Sequence, residues 1–125
     1  MSAVRIRAAA LLLLLATAAL AAPPIPDSDD ARAMAGFESW INDQRGPLGL
    51  CCSISDGRPV SAHEIRIRDG HYEVLYAKRH WPEGNNVSWL PVPQEAILPG
   101  VSPLGMPVVW IYRGVVRCFV NAGAV

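Results

Sequence analysis

The chain has 125 residues, and its eleven Lys/Arg and eleven Asp/Glu leave no net formal charge. That length holds one small domain. The charge balance argues against a nucleic-acid partner, which requires a concentrated basic surface.

Residues 1–21 have the three-part layout of a signal peptide. Arg5 and Arg7 form a basic head, an apolar run extends from Ala8 to Leu20, and Ala19-Leu20-Ala21 supplies small residues before a cut after Ala21. The run falls short of the ~20 residues that span a bilayer, so no transmembrane span is expected after processing. Losing Arg5 and Arg7 leaves nine Lys/Arg against eleven Asp/Glu, a net charge of about −2. Residues 22–27 are proline-rich and read as a flexible leader, and 28–125 as a single small domain. The expected location is periplasmic or secreted.

Asp27-Ser28-Asp29-Asp30 offers capping side chains and negative charge at a helix start. Met34, Phe37 and Ile41 recur on one helical face until Arg45-Gly46-Pro47. The spacing predicts one helix from Ser28 to Gln44. Residues 46–59 form a loop carrying Cys51 and Cys52.

His63 to Arg68 alternates, Asp69-Gly70 is a strong hairpin signal, and His71 to Ala77 runs back. A two-residue turn sets Ile67 opposite Tyr72, Ile65 opposite Val74, His63 opposite Tyr76 and Arg66 opposite Glu73. Lys78 to Asn86 is a polar loop. Val87 to Val92 is a third strand, confined to an edge by Pro91 and Pro93. Gln94 to Leu98 can form one helical turn. Pro107 to Tyr112 and Val115 to Val120 make a second hairpin around Arg113-Gly114. With a two-residue turn, Val109, Ile111, Val116, Cys118 and Val120 share one face. Val108, Trp110, Tyr112, Val115, Arg117 and Phe119 share the other, to be covered by the helix or left as an exposed aromatic patch. The predicted fold class is α+β: one N-terminal helix packed on a small antiparallel sheet of about five strands, which can curl into a half-open barrel.

The cysteines are Cys51, Cys52 and Cys118. In an oxidising compartment Cys118 should pair with Cys51 or Cys52, leaving one thiol over.

The string Cys51 to Pro59, followed by Gly70-His71-Tyr72, Trp89-Leu90-Pro91-Val92-Pro93 and Cys118-Phe119-Val120, resembles a family of small secreted bacterial proteins. No activity is attached to that family, and the likeness would cover most of the exported part. Gly57 stands where the resemblance implies a cysteine, and Val109 or Trp110 where it implies another. Losing both together would fit the loss of one whole disulfide.

No catalytic, cofactor or metal constellation emerges. His63, His71 and His80 lack metal-ligand spacing. Ser53, Ser55 and Asp56 lack a nucleophile elbow. Asn86-Val87-Ser88 matches a glycosylation acceptor, relevant only in a host that glycosylates. Lys78, Arg79 and Trp81 form the one local basic-aromatic patch, a candidate for an envelope or protein partner. The expected function is a non-enzymatic binding or envelope-associated module. The alternatives are a small extracytoplasmic enzyme using the spare cysteine or a loop histidine, or a secreted inhibitor.

Overall fold

A computed structural model describes residues 24–47, 49–53 and 56–123. The expected signal segment, the cut after Ala21 and Ser55 lie outside the described residues, as does the side chain of Ser53.

The order is α1 (Asp29–Met34), α2 (Glu38–Asp43), β1 (Arg45–Gly46), β2 (Gly49–Leu50), β3 (Gly57–Pro59), β4 (Ile65–Arg68), β5 (His71–Leu75), β6 (Trp89–Pro91), β7 (Val108–Tyr112) and β8 (Val115–Val120). Short 3-10 turns stand at Cys51–Ser53, Ala62–Glu64 and Gln94–Ala96. The strands form three separate antiparallel sheets, ordered β1-β2, β3-β7-β8 and β4-β5-β6. One helix on a five-strand sheet, or a half-open barrel, is therefore not the architecture: among the described residues eight strands divide among three small sheets, and the α-helical part is two six-residue pieces.

The expected helix starts as read, with the Ser28 side chain accepting from Ala31 N–H at 3.1 Å. It breaks after Met34. Ala35 takes extended ψ (124°) and Gly36 a φ of +84°, a left-handed value that glycine adopts without penalty. The chain turns and restarts at Glu38. Met34 and Ile41 still face one core, because the break preserves which side each presents.

The first hairpin keeps its expected register: Ile65↔Val74, Arg66↔Glu73 and Ile67↔Tyr72. Asp69 (φ +50°) and Gly70 (φ +77°) make the turn. His63 does not extend the strand; it sits exposed in the Ala62–Glu64 turn instead of opposite Tyr76. β6 is an edge strand, as its prolines require.

The second hairpin begins in the expected register, with Tyr112↔Val115 and Ile111↔Val116. A bulge then shifts it, giving Trp110↔Cys118, Val109↔Phe119 and Val108↔Val120. One extra residue on β8 flips every side chain beyond it. The faces are thus Val109, Ile111, Val116 and Phe119 in one core, and Val108, Trp110, Cys118 and Val120 in the other. Met34 and Ile41 close the second core over Trp110, with Phe37 and Trp40 at its margin.

The disulfide is Cys51–Cys118, and Cys52 is the free thiol. It closes 67 residues of chain, a loop whose entropy is worth roughly 4 kcal/mol. The β1 backbone passes so near that a Cβ on Gly46 would stand 2.7 Å from Cys118 Sγ. Among the described residues no helix is long and apolar enough to cross a membrane.

Candidate functional site

Two places concentrate chemistry, and they differ in kind. The first is a buried ionic knot. Asp30, Arg58, Glu64 and His80 are each no more than 8% exposed, though they come from α1, β3, the Ala62–Glu64 turn and the loop after β5. His80 Nδ1 lies 2.5 Å from Asp30 Oδ2, and its Nε2 2.9 Å from Glu64 Oε2. Arg79 reaches Glu64 through Nε at 3.1 Å and a second contact through Nη2, which also donates to Ser61 Oγ at 2.9 Å. Arg58 stands 3.8 Å from Asp30 and 3.4 Å from Asp56. Glu64 further accepts the Ser61 N–H at 3.0 Å, closing a capping box.

Each ring nitrogen of His80 thus has a carboxyl group against it, and the knot sets Asp30, Asp56 and Glu64 against Arg58, Arg79 and His80. Contact between opposite partners is the condition for keeping such groups out of water. It also sets what the knot can do. A histidine that activates a nucleophile in a triad has one nitrogen held by an acid and the other facing the nucleophile. Here the second nitrogen faces another acid. No group of His, Cys, Asp and Glu among the described residues has the geometry to hold a metal ion.

Cys52 is also without a base in contact among the described residues. Its Sγ accepts from Trp110 Nε1 at 3.1 Å and lies 3.6 Å from the Ile41 carbonyl oxygen.

The expected basic-aromatic patch is taken apart by the fold. Trp81 is 4% exposed, packed beside Tyr76 and edge-on to His80 with ring centres 5.3 Å apart. Arg79 is bound to Glu64, and Lys78 stands exposed. The three do not share one surface. Sequence reading placed Trp81 outside because the loop around it is polar; the turn at Ala77 folds its ring back under β5.

The second place is an open recess of about 410 Å³ beside β4, lined by Ala62, Ile65, Arg66, Ile67, Tyr72, Gly105, Met106, Pro107 and Ala122. Its walls are mainly apolar. Ile67 is 68% exposed at its rim. Tyr72 is fixed at the base, its hydroxyl accepting from Asn121 Nδ2 at 3.0 Å and its ring packed on Phe119 at 5.1 Å. The volume falls within the range of small-molecule and side-chain pockets. Sequence reading placed Ile65, Ile67 and Tyr72 on one face correctly. It gave no means of seeing that residues 105–107 and 122 would wall that face without filling it.

No protein-family model matches the chain, and no curated protein or solved structure matches it either.

Proposed function

We propose that the protein is an exported, non-catalytic binding module whose working surface is the recess beside β4. The observation that carries this reading is the contrast between the two places. The charged groups best suited to chemistry are locked to one another away from solvent, while an apolar hollow with an exposed isoleucine at its rim stands open. Filling it with one aliphatic side chain would contribute about 1.5–3 kcal/mol. Export is supported by the signal-like residues 1–21 and suits a domain closed by the Cys51–Cys118 bond. The resemblance to small secreted bacterial proteins points the same way.

The test uses the neutral apolar dye Nile red. Its fluorescence should rise on mixing with the wild-type protein and with the control Val87→Glu, whose side chain is exposed in another loop. Ile67→Glu should abolish the rise. Equal fluorescence from all three proteins would remove the recess as a binding surface.

A further inference from the structure

Hydrogen-bond parity fixes the direction of each backbone group in the β4–β5 hairpin. The Tyr72 carbonyl accepts from Val92 N–H at 2.9 Å, and Tyr76 N–H donates to the Ser88 carbonyl at 2.9 Å. Even-numbered residues of β5 therefore turn toward β6, and odd-numbered ones toward β4. In the observed register Glu73 and His71 face Arg66 and Arg68, so those arginines spend their backbone groups on β5. Ile65 and Ile67 turn theirs outward. β4 is the edge of its sheet. Ile65 N–H donates to the Ala62 carbonyl. The Ile65 carbonyl and both polar groups of Ile67 have no backbone partner among the described residues.

The recess adjoins this open edge, on the face that holds Ile65, Ile67 and Tyr72. By strand alternation the opposite face of β4 carries Arg66, which also contributes to the recess wall, and Arg68. Arg66 is held by Glu73 at 2.8 Å and lies over the Trp89 ring at 4.1 Å. Arg68 is exposed and has no ion pair among the described residues.

We propose that the β4 edge is a strand-addition site, and that its occupant is an extended segment of a protein partner in which apolar residues alternate with acidic ones. The added strand would bond to Ile67 N–H and to the Ile65 and Ile67 carbonyls. Its side chains would fall alternately into the recess and onto the Arg66/Arg68 face. A second copy of this chain is a poorer occupant. Antiparallel pairing of β4 with itself sets arginine against arginine, and like charges directly opposite are destabilising. This inference rests on the binding-module reading and names the class of partner.

The probe is a blocked peptide of about seven residues, a typical strand length, alternating valine and glutamate. A valine–lysine peptide is the control. The glutamate peptide should bind and protect the Ile67 amide from hydrogen exchange. Arg68→Glu should weaken it by roughly tenfold or more, and Ile67→Pro should do likewise by removing the outward N–H without touching the ladder. Arg68→Glu alters only an exposed side chain, so its result stands even if the proline variant folds poorly. Equal binding of both peptides, or binding without Ile67 protection, overturns the inference. So does Ile67 protection by self-association with no peptide added. Failure of the glutamate peptide while Nile red still binds sinks strand addition alone; failure of both sinks the recess reading as well.

Discussion

His80 is held between two buried acidic side chains, Asp30 and Glu64, and that placement makes it the pivot of the ionic knot. Two substitutions test the knot. Glu64→Gln should cost about 3–5 kcal/mol in denaturant unfolding, because it leaves buried charge uncompensated. Arg79→Ala should cost about 1 kcal/mol or less, since the Arg79 side chain is 48% exposed and its pairing is screened. Equal losses from the two variants would contradict the knot as described. Tyr76 has a displaced titration. Burial, then the charge and hydrogen bond of Glu83, push its phenol up to about 12 from an ordinary value of 10.0. The folded state holds the proton more tightly than the unfolded chain. The stability this brings is full below the unfolded value and disappears as pH rises through about 10 to 12. Tyr76→Phe should lack that loss, read as denaturation midpoints at about pH 9 and pH 11.

At the scale of elements, packing between β3 and β7 is tight enough to be tested by a single methyl. Gly57 pairs with Trp110, and a Cβ on it would lie 2.8 Å from the indole Cε2. Trp110 is fully buried. Gly57→Ala should therefore cost about 1–3 kcal/mol, and in a double-mutant cycle the same substitution should cost less in a Trp110→Phe background. The first hairpin was legible in the sequence because Asp69-Gly70 fixes its turn and Ile65, Ile67, Tyr72 and Val74 alternate around it. The second was legible only at its tip. Arg113 does accept a left-handed backbone (φ +50°), so the two-residue turn forms, but nothing in Val115 to Val120 marks the bulge that reverses Cys118 and Phe119. The helix misled for a related reason. Met34, Phe37 and Ile41 keep their period across a break at Gly36, and periodicity reports the buried side without reporting continuity. The knot escaped because its members are scattered from residue 30 to residue 80. One signal was present: Ser61-Ala62-His63-Glu64 has the spacing of a capping box, hidden by extending the strand back to His63.

For the molecule as a whole, the disulfide joins the loop after β2 to β8, across the core that Met34 and Ile41 cover. Non-reducing peptide mapping should recover Cys51 linked to Cys118, with Cys52 unlinked. Reduction should cost about 2–5 kcal/mol. β4 ends one of the three small sheets, and its open edge lies beside the unfilled hollow. Whether that hollow is the working surface is best decided by an amide-resolved NMR titration of the protein with Nile red. The expected result is that the largest shift changes fall on Ile65, Ile67, Tyr72, Met106 and Ala122. Changes centred instead on the smaller recess of Pro47, Pro93, Ala96 and Val115, or spread evenly over the surface, would contradict it.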